Sequence, residues 1–360
     1  MINSFIQLLI YLEGTYIKGY YMKEFWLFRS DIRHLEYYHY INDLETFENE
    51  CHDHWVLFPL QMLKDDIFDK VVIWRLQPQG EKMQDIVFEV NGKQYIQRWV
   101  ENFNECTNYG KPWISFWRGG FKEYDDCVIQ NPNLLGYLIY IATGERTQPR
   151  FGGKYDLYLM EDEKDIKAKN HIPFYKPASD KIFFPKTSEL KYDLCWAVNF
   201  TQIFKGQEFF IEKISRSPYL KTLKIVHCGN KPEVGIAMTQ RYGVNNIEFK
   251  GSVSRDILND YFNESRFGLL TTNHRDSGPR TAIECMAAGT PLLIRDKTRF
   301  LDWYTKYGAI KYTDDYLEEI FKHSFEYYSD IKSVLINNID KFSIKNMCKK
   351  NWDLWKKWVV

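Results

Sequence analysis

Two carboxylates and one ammonium group carry the chemistry that can be read in this chain. Asp276 and Glu284 are separated by seven residues, with Ser277-Gly278-Pro279-Arg280 between them and a helix-like run, TAIECMAAG, opening at Thr281. Gly278 lets backbone approach a ligand closely, and Pro279 near the first helical turn gives up an amide that has no partner there in any case. A helix start presents unpaired N–H groups and the positive end of its dipole, so an anion is favoured, phosphate first among candidates. Glu284, one turn further in, is placed to accept hydrogen bonds from a vicinal diol such as a ribose. Lys205, directly before Gly206, is the third group. Each has a plainer alternative: Asp276 as an acid that satisfies the helix dipole, Glu284 as an exposed helix residue, Lys205 as an ordinary loop lysine. Their joint order along the chain favours the functional reading.

The elements that must position these groups alternate. YDLCWAVNF reads as a strand, TQIFKGQEFFIEKISRS as a loop and helix, and LKIVHCGN as a strand ending in a glycine turn. IEFKG is a short strand, SRDILNDYFNES a helix, RFGLLTT a continuous apolar strand, and PLLI a further strand beyond Gly289 and Pro291. Such alternation builds a parallel sheet covered by helices on both faces. Ligands of open α/β sheets bind outside the carboxyl ends of the strands, where the loop before Thr281 falls.

The order acid, glycine loop, helix carrying Glu284-Cys285-Met286-Ala287-Ala288, then Gly289-Thr290-Pro291 resembles the signature of GT-B fold glycosyltransferases of family 4, the retaining group called glycosyl transferases group 1. The likeness runs from Tyr192 to Ile310, about a third of the chain. It implies that Asp276 contacts the hydroxyls of a donor sugar, Glu284 holds the nucleotide ribose, and Lys205 neutralises the donor diphosphate. Gly278, Pro279, Arg280, Thr281 and Gly229 join that donor site, with the base held by backbone near Val253 and Ser254. Phe200 stands where the family has an arginine, five residues ahead of the lysine, which leaves Arg280 or Arg275 to supply the second charge. The implied fold class is α/β of the GT-B type, two Rossmann-like domains whose parallel sheets face an interdomain cleft. The implied reaction moves a sugar from a nucleotide diphosphate sugar to a hydroxyl of a saccharide or lipid-linked acceptor, with retention, in polysaccharide or glycoconjugate assembly. No Asp-x-Asp occurs. Leaving-group charge therefore falls to protein cations and the helix dipole, and neither metal nor other cofactor is expected.

From Met22 to Lys186 the chain reads as a second, less regular α/β unit. KEFWLF, HWVLFPL, KVVIWRL, PWISFWR and KYDLYLM are strand-like, and HLEYYHYINDLETF, KQYIQRWVENFNE and LLGYLIYIAT are helix-like. The loop after its first strand, Arg29-Ser30-Asp31-Ile32-Arg33, lacks the glycines common in the family. Arg118-Gly119-Gly120, after WISFW, either lines the cleft from the acceptor side through Gly119 and Gly120 or is a turn. The expected division is an extension at 1–21, an acceptor-side domain at 22–186, a nucleotide-sugar-binding domain at 187–345 and a last helix at 346–360. The linker is expected at Pro185-Lys186-Thr187-Ser188, after a strand KIFF. MCKKNWDLWKKWVV sets Trp352, Trp355 and Val359 on one helical face, which either crosses back to the first domain or packs on its own. Cys51-His52-Asp53-His54 reads as structural, because adjacent side chains point in different directions. Nothing local selects among His34, His39, His52, His54 and His171 for the histidine that many family members carry in the first domain.

Composition bounds the rest. The 360 residues fit two ordinary domains better than one. Lys plus Arg and Asp plus Glu are 48 each, so no global field draws the protein to nucleic acid or an anionic membrane. Seven scattered cysteines without a C-x-x-C pair argue for reduced thiols in a cytoplasm. Missing Walker and G-x-G-x-x-G loops count against kinases and dinucleotide enzymes. The aromatic share of 17% carries no sugar-stacking argument, because A/T-rich codons explain abundant Phe, Tyr, Lys, Asn and Ile equally well. FIQLLIYL near the start is far shorter than the roughly 20 residues that span a bilayer and lacks signal-peptide flanks, leaving contact with a membrane surface as the minor alternative. Two other functions stay open. A GT-B enzyme that glycosylates modified DNA bases, as some viral enzymes do, predicts a basic cleft and salt-sensitive DNA binding. A non-catalytic sugar-nucleotide binder is favoured by Phe200.

Overall fold

The computed structural model describes residues 22–29, 41–51, 53–78, 80, 82–118, 121–142, 151–160, 169–200, 205–273, 280–298 and 301–359. Its strands form two sheets. The first comprises β1 (Glu24–Arg29), β2 (Lys70–Leu76), β3 (Ile86–Val90), β4 (Lys93–Val100), β5 (Ile114–Arg118), β6 (Tyr137–Ala142), β7 (Leu157–Met160) and β8 (His171–Pro173), with helices α1 (Leu44–Glu50), α2 (His54–Lys64) and α3 (Lys122–Gln130) between them. Their spatial order is β3-β4-β2-β1-β5-β6-β7-β8, parallel except where β3 pairs with β4. The second sheet comprises β9 (Tyr192–Ala197), β10 (Ile225–Cys228), β11 (Ile247–Phe249), β12 (Ser265–Leu270), β13 (Leu292–Arg295) and β14 (Ile310–Tyr312). Its helices are α4 (Gln207–Arg216), α5 (Pro232–Tyr242), α6 (Arg255–Asn263), α7 (Arg280–Ala287), α8 (Leu301–Thr305), α9 (Leu317–Glu326) and α10 (Tyr328–Ile336), followed by α11 (Ile344–Val359). The order here is β11-β10-β9-β12-β13-β14, wholly parallel. Strand order reverses at β1/β5 in one sheet and at β9/β12 in the other, and such switch points open the crevices where doubly wound sheets take ligands.

Why these segments are central strands follows from period-2 geometry with both faces covered. In β1, Phe25 and Leu27 enter the core under α2 while Trp26 and Phe28 enter the opposite core, where Phe28 stacks on Trp117 with ring centroids 3.6 Å apart. In β9, Cys195 and Ala197 face one core and Leu194 and Trp196 the other.

Four expectations for the first half are corrected. HWVLFPL is not a strand but most of α2, whose start is capped by the Asp53 carboxylate accepting from the Trp55 amide at 3.0 Å. An unbroken apolar run fits a buried helix as well as a buried strand, and its continuation to Lys64 decides for the helix. KQYIQRWV is β4 rather than helix, joined to β3 by Asn91-Gly92, both at positive φ, the hairpin turn that this dipeptide favours. LLGYLIYIAT holds β6, entered through Gly136 at φ 65, where a Cβ would meet the Pro112 carbonyl at 2.3 Å. KIFF is a turn, with the Phe183 amide donating to the Ser179 carbonyl at 2.8 Å. Beyond it, the Phe184 and Lys186 amides donate to Asn259 and Asn263 of α6 at 3.3 and 2.6 Å.

The last helix packs on the first half. Cys348 and Trp355 of α11 lie in the core formed by β1, β5 and α2, and the Trp355 ring sits 5.0 Å from Phe116 and 5.7 Å from Phe58. Buried Asn351 ties the same helix to Tyr175, accepting from its amide at 2.9 Å and donating to its carbonyl at 2.7 Å. Among the described residues no helix is long and apolar enough to cross a membrane. Residues 1–21 lie outside them.

Candidate functional site

A cavity of about 390 Å³ opens at the carboxyl ends of β9 and β10, beside the switch point of the second sheet. Ala197, Val198, Asn199 and Lys205 line it from the β9 side, and Cys228, Gly229 and Asn230 from the β10 side. Ser252 and Val253 come from the loop before α6, Arg255 and Leu258 from α6, and Arg280, Thr281 and Glu284 from α7. A larger cavity, about 810 Å³ beside Met22, Trp113 and Tyr137, sits where β1, β5 and β6 begin, the edge at which open α/β sheets do not bind ligands.

Lys205 is held by its backbone. Thr271, just past β12, donates its hydroxyl to the Lys205 carbonyl at 2.5 Å, and is itself tied to Trp196 Nε1 at 3.1 Å and, through its carbonyl, to Arg295 at 3.3 Å. Gly206 then turns the chain into α4 at φ 74 so close to β12 that a Cβ would meet the Thr271 carbonyl at 2.1 Å. Only glycine meets both demands. The opposite wall is as tightly built. A Cβ on Gly229 would meet the Val198 carbonyl at 1.9 Å, and His227 Nε2 bonds that carbonyl at 2.8 Å. Burial holds the His227 imidazole down at about 4, so it is the neutral ring that secures the loop after β9.

Glu284 reaches the cavity because α7 lies hard against β12. Gly268 provides the room: a Cβ there would meet Cys285 Sγ at 2.2 Å. The helix ends at Gly289, φ 74, with the Thr290 amide bonded to the Cys285 carbonyl at 3.1 Å. The Glu284 side chain is only 4% exposed, and its Oε2 accepts from Arg255 Nη1 at 3.1 Å. Three cations, Lys205, Arg255 and Arg280, thus face one carboxylate among the described lining residues, an excess of two positive charges.

Of the residues singled out in the sequence, Lys205, Gly229, Val253, Arg280, Thr281 and Glu284 line this one cavity. Ser254 is not among its lining residues; its hydroxyl bonds the Asp256 carboxyl and holds it below the usual carboxylate range. Asp276, Gly278, Pro279 and Arg275, like Gly119 and Gly120, lie outside the described residues. Phe200 is turned into an apolar cluster, its ring 4.7 Å from His227, 5.7 Å from Trp196 and 5.9 Å from Phe249. Sequence reasoning missed Arg255. One signal was present: Arg255 opens its helix directly after Val253 and Ser254, the stretch already assigned to the donor site.

In the first half, Asp53 does two structural jobs, capping α2 and pairing with Arg29 at the end of β1 at 2.7 Å. His54 is buried beside Trp55, and His171 stacks on Tyr158 at 4.7 Å. His34, His39 and His52 lie outside the described residues, among which no group of His, Cys, Asp and Glu is placed to hold a metal ion. All seven cysteines are buried.

No family model matches the sequence, and no curated protein does. Solved structures do match. A glycosyltransferase from Rickettsia africae superposes with a TM-score of 0.65 at 12% identity, over 94% of this chain and 99% of that one. HepE from Anabaena, in complex with UDP and glucose, gives 0.62 at 10% over 92% and 99%. Sucrose-phosphate synthase from Thermosynechococcus elongatus gives 0.58 at 11% over 94% and 96%. Coverage of both sheets at these identities speaks for architecture alone, and with two parallel-dominated, doubly wound sheets the chain has the GT-B fold.

Proposed function

We propose that the protein is a glycosyltransferase that moves a sugar from a nucleoside diphosphate sugar to an acceptor hydroxyl, with retention and without a metal ion. The observation that carries this reading is the convergence of Lys205, Arg280 and the described start of α7 with buried Glu284 in one cavity at a switch point. Excess positive charge among its described lining residues suits a diphosphate. Lys205 and the first amides of α7 stabilise the negative charge that grows on the departing diphosphate, and Glu284 accepts hydrogen bonds from the ribose. Asp276 would contact the donor sugar. The half built on residues 22–186 would bring the acceptor, a saccharide or lipid-linked saccharide, across the cleft. UDP-glucose is the first donor to test, since HepE was solved with UDP and glucose and the Escherichia coli trehalose-6-phosphate protein with UDP-2-fluoro glucose.

The test is a donor screen that measures nucleotide release from UDP-, GDP- and ADP-sugars with pooled saccharide acceptors. One donor is expected to turn over, undiminished by EDTA, and Glu284→Ala is expected to weaken its binding. Full activity in Glu284→Ala would falsify the site, and loss of turnover in EDTA the metal-free chemistry. Phe200, sunk in its aromatic cluster, supports a second reading as a non-catalytic sugar-nucleotide binder. That reading gains if donors bind but none turns over.

A further inference from the structure

In the proposed donor site one lining cation comes from a side other than the loop after β9. Phe200 belongs to the wall formed with Trp196, His227 and Phe249, where a Cβ on Gly235 of α5 would already touch its ring at 2.7 Å, so the loop after β9 brings no cation from that position. Arg255 enters the same cavity from the first turn of α6. The helix dipole there is already answered by Asp256 in the same turn, so what distinguishes Arg255 is its reach into the cavity. Glu284 pairs with it there, engaging one guanidinium nitrogen at 3.1 Å, and a guanidinium has five N–H donors in a planar fork. The Arg255 side chain is 29% exposed, against 4% for Glu284, so ligand reaches the arginine more readily than the acid.

We propose that Arg255 is a diphosphate-binding residue of the donor site, anchored by Glu284 Oε2 and directing its remaining donors at the phosphate oxygens. The inference rests on the donor-site reading above and deepens it. It assigns Glu284 two simultaneous duties, Oε2 to Arg255 and Oε1 to the ribose, so that one buried carboxylate sets the distance between ribose and diphosphate. A guanidinium matches two phosphate oxygens at once, which an ammonium does not.

The experiment is isothermal titration of the full chain with UDP, GDP and ADP and with uridine, guanosine and adenosine, for the parent, Arg255→Ala, Arg255→Lys, Glu284→Gln and the Arg255→Ala/Glu284→Gln double variant. In Arg255→Ala, affinity for the bound nucleoside diphosphate should fall roughly 10- to 100-fold relative to its nucleoside, the loss expected of a hydrogen bond between charged groups. Arg255→Lys should recover part of it. The double variant, which leaves no orphan carboxylate, should show the same drop relative to Glu284→Gln. If diphosphate and nucleoside weaken by one common factor, Arg255 only positions Glu284 and the inference falls while the donor site stands. If the parent binds no nucleoside diphosphate, both fall.

Discussion

At the scale of single residues, charged groups line the cavity and a neutral imidazole secures its wall from behind. Lys205 acts on the leaving group in the proposed reaction, so Lys205→Ala is expected to lower kcat about 10²- to 10³-fold with little change in unfolding midpoint; an unchanged kcat would remove it from the chemistry. His227 is the neutral partner of the Val198 carbonyl, its imidazole held at about 4 chiefly by burial, and only partly raised by that hydrogen bond. The unfolded chain takes up this proton near pH 6.5 and the folded chain only near pH 4. Stability is therefore complete above about pH 6.5 and is lost as pH falls toward 4, by an amount on the order of 3 kcal/mol. Urea unfolding of parent and His227→Gln at pH 7.5 and pH 5 checks this. The parent should lose more stability than the variant between the two, and parallel losses would show that His227 titrates elsewhere.

Among elements, the decisive contact is α7 against β12. Gly268→Ala would drive a methyl into Cys285 Sγ, 2.2 Å from the ideal Cβ position, and shift the helix that carries Glu284. The expected cost is about 1–3 kcal/mol, the usual range for overpacking. Cys285→Ala in the same chain removes the obstructing sulfur and should restore most of the loss, in stability and in donor affinity together. Failure of that rescue would mean that α7 is not what Gly268 accommodates. The second half was legible at this scale because its strands, glycine turns and helix starts occur in clean alternation; Gly206, Gly229 and Gly289 each mark a turn that the structure requires. The first half was less so. HWVLFPL and KQYIQRWV are apolar enough to suit either period, and the hairpin signal Asn91-Gly92 was the local cue that separates β4 from a helix.

For the whole molecule, α11 fastens the chain's last described segment to the first sheet. Trp355 is fully buried between Phe58 and Phe116, and Trp355→Ala is expected to cost about 3–5 kcal/mol. The loss should register as faster hydrogen exchange in β5 and α2. Exchange that quickens only in β9–β14 would contradict this packing. Asn351, bonded twice to the Tyr175 backbone, adds a polar lock, and Leu354 touches the cores of both halves. The amphipathic stripe of α11 left its partner open in the sequence, since a stripe states that a face is buried without stating against what.

The sequence by itself determined the alternation of strand and helix after Tyr192, the acid and cation types, and their order, because these depend on local periodicity, turn chemistry and dipole complementarity, all short-range properties. The resemblance implied that Lys205 and Glu284, 79 residues apart in numbering, serve one donor; tertiary structure alone decided that Arg255 answers Glu284 and that Phe200 faces apolar neighbours. Those outcomes depend on which strand ends lie side by side at the switch point. No period in the chain encodes that adjacency; the packing of two sheet faces under their helices does.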